Sequence, residues 1–203
     1  MLLVAAYWRT NLTLRQLAPL FGISKSASDR IIDDLGPKLA LRPRKRFAPG
    51  TVLIVDGTLV PTRDRSVSAP SKNYRYSTNH QVVIDADTQL VVTVGTPLPG
   101  NRNDCKAFAG SGAEHACRNH DVIGDGGHTA ISAIIPHRHQ PGQALPAWKE
   151  EYNASHRHVR VRVEHTFARM KTWKILRDCR LRGDGVAIAM SGIARLHNLA
   201  RTA

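Results

Sequence analysis

A short apolar run that ends in a carboxylate constrains this chain more than any other stretch. Thr51, Val52, Leu53, Ile54 and Val55, mostly β-branched, lead directly into Asp56, Gly57 and Thr58. So brief a continuous apolar run, opened by Pro49-Gly50, reads as a strand buried on both faces. An ionised carboxylate at the end of such a strand is costly unless it is paired or binds a metal. Gly57 lets backbone or ligand come close beside it. Taken alone, Asp56 reads first as a strand-end turn residue. The other acids of the chain change that weight.

Charge narrows the partners. Among 203 residues, 29 Lys and Arg outnumber 16 Asp and Glu, a formal net charge of +13, and the pI is near 10.4. A surface this positive is suited to a polyanion. The basic residues are spread along the whole chain and not gathered on one amphipathic helix, so double-stranded DNA is expected as partner and a membrane is not. No apolar window reaches a membrane-spanning length, and residues 1–6 lack the basic flank and cleavage site of a signal peptide. Cys105, Cys117 and Cys179 form no CxxC pair and fit a reducing cytosol. The expected location is the cytoplasm, in association with the nucleoid.

Residues 2–9 read as a short helix. Thr13 stands three residues before Gln16, a capping-box spacing, and opens TLRQLAPLF. Gly22 follows, and Ser24 caps SKSASDRIIDDL. Two short helices around a glycine turn, sharing Leu14, Leu17, Ala18, Phe21, Ile23, Ala27 and Ile31, read as a helix-turn-helix with Lys25, Ser26 and Arg30 toward DNA. An ordinary helical hairpin has the same pattern: Pro19 lies inside the first helix, and Ser28 stands where such motifs bury Val or Ile. Pro37 is expected to end the second helix. The division expected is 1–41 for this all-α unit, 42–50 for a basic linker whose Arg44, Lys45 and Arg46 track phosphates, and 51–203 for an α/β domain.

Beyond the first strand, a polar loop to about Asn79 carries Arg63 and Arg65. Apolar runs at 81–84 and 90–94 form a hairpin whose Asp85 and Asp87 serve the turn. Residues 104–117 read as a weak helix, with Asp104 placed to cap it. HDVIGDGGH is a second short strand, delivering Asp125 to a pair of glycines, and residues 129–156 read as irregular. From about Ser155 to Leu176 an amphipathic helix carries Val159, Val163, Phe167 and Met170 on one stripe. Arg160, Glu164 and Lys171 lie on a second stripe, where Glu164 is the helix's single acid; an ion-paired, solvated face has the same pattern. Residues 185–199 form a last, packing helix. His137/His139 and His156/His158 fit no standard zinc spacing and are expected at the surface or facing DNA.

Three carboxylates delivered by three elements suit two-metal phosphoryl transfer, because hard divalent ions take oxygen ligands and nearby Arg and Lys hold phosphates. The order VDGT, PGNRNDCKAF, IGDGG and RVRVEHTFARMK, preceded by LAPLFGISKSASDRIIDDLGP, resembles the DDE-type transposases of bacterial insertion sequences, near the Harbinger-like DDE superfamily endonucleases, over nearly the whole chain. The resemblance implies an α/β fold, an RNase-H-like mixed sheet flanked by helices, behind a small all-α helix-turn-helix unit. It also implies a catalytic and metal-binding triad of Asp56, Asp125 and Glu164, two Mg²⁺ (or Mn²⁺) ions, and Arg160 and Lys171 beside DNA. Asp104 matches a recurrent family acid and is expected, with Thr58, behind the ligands. Arg157 stands where many relatives have Tyr, and His128 where they have an aromatic residue.

The implied activity is cleavage at transposon ends and strand transfer into target DNA by a homodimer or larger assembly on DNA. A DNA-binding regulator or transposase remnant without nuclease activity, and a standalone RNase-H-like nuclease, are the alternatives. Convergence of the three carboxylates is the spatial feature that the enzyme readings require.

Overall fold

In the computed structural model, which describes residues 1–74, 76–128 and 133–203, three helices precede the sheet: α1 (Leu2–Thr10), α2 (Leu14–Leu20) and α3 (Lys25–Lys38). Thr13 and Gln16 close a full capping box, and Ser24 Oγ accepts from Ala27 N at 3.1 Å. Both helix starts are therefore satisfied by local side chains. Gly22 takes φ +64° between them, a left-handed conformation free of strain for glycine. Ser28 is fully buried, and its hydroxyl donates to Ser24 O at 3.2 Å. The serine fits the interior because its polar group is satisfied within its own helix. Pro37 does not end α3 but lies in its last turn. The ring deprives only Asp33 O of its donor there, and Asp33 is exposed to water.

The sheet contains β1 (Val52–Pro61), β2 (Ser77–Asp85), β3 (Val91–Val94), β4 (Leu98–Pro99) and β5 (Asp121–Ile123). Its order is β3-β2-β1-β5, with β4 on β2. β1 pairs antiparallel with β2 and parallel with β5. Helices α4 (Asp104–Gly110), α5 (Ala113–Cys117), α6 (Ala147–Met170) and α7 (Gly185–Thr202) flank it, a mixed, helix-covered sheet as expected.

Two further elements depart from the sequence reading. β1 runs through Asp56 to Pro61 and pairs with β2 as far as Ser77, so part of the expected polar loop is a long hairpin. Thr58 and Val60 supply strand-forming, β-branched side chains there. α6 starts at Ala147, well before Ser155, and ends at Met170, with a separate 3-10 turn at Lys174–Leu176. Pro146 immediately precedes Ala147, Trp148, Lys149 and Glu150, and three of these four, Ala147, Lys149 and Glu150, are strong helix formers that open the first turn.

Strand alternation sorts the two faces of the sheet. Ile54, Val60, Val82 and Ile84 bury one face in a cluster with Trp8, Val163, Met170 and Ile193. Leu53, Val55, Val83 and Val92 bury the other against Phe108, Ala113 and Val122. The first cluster also joins the N-terminal helices to the α/β part: a Cβ at Gly192 of α7 would run into the Trp8 indole of α1. The 42–50 stretch lies along this body, with Arg44 N donating to Val92 O at 3.0 Å.

Candidate active site

Sheet register brings two of the acids together. Ile54 of β1 pairs with Ile123 of β5 in parallel; two residues on from each, just past the end of this pairing, stand Asp56 and Asp125, near enough for the Asp125 charge to act on Asp56. Burial holds the Asp56 carboxyl above its usual range; Arg160 pulls it down, and the Asp125 charge pushes it up. Arg160 donates from Nη2 to Asp56 Oδ2 at 2.8 Å, and Gly57 N donates to Asp56 Oδ1 at 2.9 Å. Both partners of the ion pair are largely enclosed, with side chains 14% and 19% exposed for Asp56 and Arg160.

Asp125 is held differently. A hydrogen bond from His128 keeps its carboxyl below the usual range, with burial opposing. The His128 ring is fully buried. Its Nδ1 lies 2.6 Å from Asp125 Oδ1, and its Nε2 lies 3.2 Å from Gln81 Oε1. Gln81 Nε2 in turn donates to Asp104 Oδ1 and Asn79 Oδ1, each at 3.0 Å. Asn79 Nδ2 donates to Asp104 Oδ1 at 3.2 Å. These bonds fix the amide of Gln81 with its oxygen toward His128, because the reverse orientation would set oxygen against oxygen. Asp104 thus orients a chain of side chains that ends on Asp125.

Asp104 does not cap α4: Asn103 does, with its side chain accepting from Lys106 N. That leaves both Asp104 oxygens for the site. A Cβ on Gly57 would run into Asp104 Oδ1, and one on Gly127 would lie 3.0 Å from Asp125 Oδ1 and 3.4 Å from Asp104 Oδ2. The two glycines therefore leave Asp104 room to lie against the backbone beside Asp56 and Asp125.

Glu164 does not join this group. It is exposed, one turn after Arg160 on the same face of α6. The α6 charge that meets Asp56 is the guanidinium, not the glutamate. Among the described residues no group of three His, Cys, Asp or Glu side chains is arranged to hold a metal ion, so the expected convergence of three carboxylates reduces to the pair Asp56–Asp125. The pair fits a hard divalent cation in its chemistry: adjacent oxygen donors, half-enclosed, already drawing a positive side chain to themselves.

A cleft of about 700 Å³ opens on the Asp104 side of β1, lined by Gly57, Thr58, Asn79, Asn101, Asp104 and Lys171 among others. Thr58 is buried in its wall. Burial lowers the Lys171 ammonium, and the Asp56 charge raises it.

The other expected DNA contacts are dispersed. Lys25, Ser26 and Arg30 are exposed on α3, and Lys45 and Arg46 are exposed before β1. Arg44 is engaged by Asp85 at 3.0 Å, and Asp85 also accepts from Asp87 N and Thr88 N, as its turn role requires. Arg63 Nε donates to Asp178 at 2.9 Å, and the Arg65 guanidinium covers the Tyr76 ring at 4.9 Å. His156 is buried, contrary to the expected surface position, because its ring bonds backbone carbonyls. Sequence reading missed Asn79 and Gln81. Their signal was two amides at i, i+2, one of them facing a glycine across the hairpin.

The family model for the transposase DDE domain matches residues 48–199, and that for the helix-turn-helix of DDE superfamily endonuclease matches residues 1–45. The chain is 73% identical over 202 residues to the transposase assigned to insertion sequence element IS112 of Streptomyces albus G, over 99% of this chain and 79% of that protein. The transposase assigned to insertion sequence element IS702 of Microchaete diplosiphon is 25% identical over 200 residues, 86% of this chain and 70% of that one. A pre-cleavage Mos1 transpososome aligns over 94% of this chain and 73% of its own at 15% identity, with a TM-score of 0.30, too low a likeness to bear on the site.

Proposed function

The chain belongs to the transposase DDE-domain family, and on that premise we propose that Asp56, Asp125 and Glu164 hold the divalent ions with which it cuts and joins DNA. It is a transposase whose N-terminal helix-turn-helix binds DNA. The observation that carries the site assignment is the meeting of Asp56 and Asp125 across β1 and β5, with Arg160 pulling on both carboxylates. Two Mg²⁺ or Mn²⁺ ions, when bound, supply a nucleophilic oxygen at neutral pH and stabilise the leaving oxygen.

The chain's own groups do the rest. Arg160 exchanges Asp56 for a DNA phosphate, to which its planar fork is well matched. Glu164, one turn along α6, swings toward the aspartates that Arg160 has left. His128 fixes the direction of the Asp125 carboxylate, and Asp104 fixes His128 through Gln81. Thr58 and Lys171 line the cleft that receives the cut strand. Lys25, Ser26 and Arg30 meet the groove, while Lys45, Arg46 and Arg65 meet phosphates. Two copies hold two transposon ends together on DNA, in the cytoplasm at the nucleoid, and the freed strand end attacks target DNA.

The test is cleavage of duplex DNA carrying the ends of the segment that encodes the chain. The wild type is expected to cut in Mg²⁺ or Mn²⁺ and to stop on chelation, and Glu164→Gln to bind without cutting. Cutting by Glu164→Gln at the wild-type rate overturns its place among the ligands. Salt-sensitive binding without cleavage in either ion favours the regulator reading.

A further inference from the structure

A row of four rings lies along α6 beside the loop that carries Asp125. His137 stands edge-on to Trp148 with centroids 5.2 Å apart and tilts against Tyr152 at 4.9 Å. Tyr152 stacks toward His156 at 6.4 Å. Trp148, Tyr152 and His156 recur at intervals of four, so one face of the helix presents them. Trp148 is 60% exposed and Tyr152 37%, so neither ring is there to fill the core.

The row is nevertheless anchored like a core element. Asn153, buried, accepts from His137 N at 2.8 Å and donates to His137 O at 3.0 Å. His156 Nε2 lies 3.0 Å from Gly124 O, and Arg138 donates to Gly126 O at 3.0 Å. Gly124 and Gly126 are the neighbours of Asp125, so the row is tied to the backbone on both sides of that acid. Lys149 stands 5.3 Å over the Trp148 ring, and Arg138 is exposed beside His137. Glu151 shares this side of the helix, and Glu150 lies across it.

Rigid exposed rings with cations at their edges suit a polyanion that has flat apolar faces of its own: bases stack on the rings and phosphates meet the cations. Bases inside a duplex are already stacked on each other, so the matching partner is an unpaired stretch of strand. We propose that Trp148, Tyr152 and His137 form a stacking platform for unpaired bases of DNA next to the Asp56–Asp125 pair. This rests on the phosphodiester-cutting reading, since cutting at that pair leaves strand ends free to unpair beside it.

Trp8 is buried, and Trp173 is less exposed than Trp148, so emission quenching reports mainly on Trp148. The full chain is titrated with a thymidine oligonucleotide and with a duplex of equal length, reading tryptophan emission and the anisotropy of labelled DNA. The single strand is expected to quench the wild type. Trp148→Ala is expected to lose that quenching and bind the single strand about tenfold more weakly, with duplex affinity unchanged and Trp148→Phe close to wild type. The platform is overturned if Trp148→Ala binds the single strand like wild type, or loses both DNA forms equally. If the wild type binds neither form, the DNA reading beneath the platform fails with it, whereas duplex binding with an unaffected Trp148→Ala removes the platform alone.

Discussion

Arg160 donates to Asp56 from Nη2 at 2.8 Å while its own Nε is buried without a hydrogen-bond partner among the described residues. A guanidinium can grip a carboxylate with two parallel bonds; this one uses a single corner and leaves a donor unsatisfied. Such a contact neutralises Asp56 without saturating Arg160. It is therefore suited to exchange, with Asp56 passing to a cation and Arg160 to a phosphate.

Removing Arg160 leaves a largely buried carboxylate unpaired. Arg160→Ala is expected to lose about 2 kcal/mol of stability in urea denaturation, below the cost for a fully buried pair because both ends keep some water. Asp56→Asn with Arg160→Ala is expected to recover part of that loss, since no charge is then stranded. Wild-type stability in the single variant would mean that the pair contributes nothing to folding.

Gly57 is where Asp104 approaches the sheet. Gly57→Ala places a methyl against Asp104 and 2.6 Å from Gln81 Nε2, and both neighbours are fixed by hydrogen bonds. A loss of about 1–3 kcal/mol is expected. Gly126 is the control, since a Cβ there meets nothing within 4 Å; Gly126→Ala is expected to stay within about 0.5 kcal/mol of wild type. Equal effects in the two variants would contradict the close approach of Asp104.

The order of the acids, the caps at Thr13 and Ser24 and the glycine turn between α2 and α3 were legible in the sequence, because each depends on residues a few positions apart. The extension of β1 past Gly57 was hidden, since a glycine beside an acid reads as the end of a strand until its partner strand is known. The link from Asp104 through Gln81 and His128 to Asp125 depends on cross-strand register and helix placement, which no local pattern encodes. The same is true of Arg160 reaching Asp56 ahead of Glu164: spacing set both on one face of α6, but side-chain reach decided between them. The ring row escaped notice because the first turns of α6 read as irregular chain.

His80 gives the fold a pH dependence of known sign. Its ring is fully buried, 3.0 Å from Thr78 Oγ1, and burial, with Lys171 adding, pushes its pKa down to about 3. The unfolded ring takes up a proton below about pH 6.5, whereas the folded ring does not until about pH 3. The stability it contributes is full above the unfolded value and falls as pH drops through this window, by up to about 1.4 kcal/mol per pH unit. Urea midpoints are expected to fall between about pH 6.5 and about pH 4 in the wild type, and more shallowly in His80→Gln. Identical slopes would place the dependence elsewhere.

The most direct test of the site compares strand cutting and DNA binding by wild type, Asp56→Asn and Asp125→Asn on a duplex carrying the ends of the encoding segment, in Mg²⁺. Both variants are expected to bind like wild type and to cut only at background level, because each loses an ionised oxygen donor where β1 meets β5. Cutting at the wild-type rate by either variant, with binding intact, would contradict the assignment of that acid as a ligand.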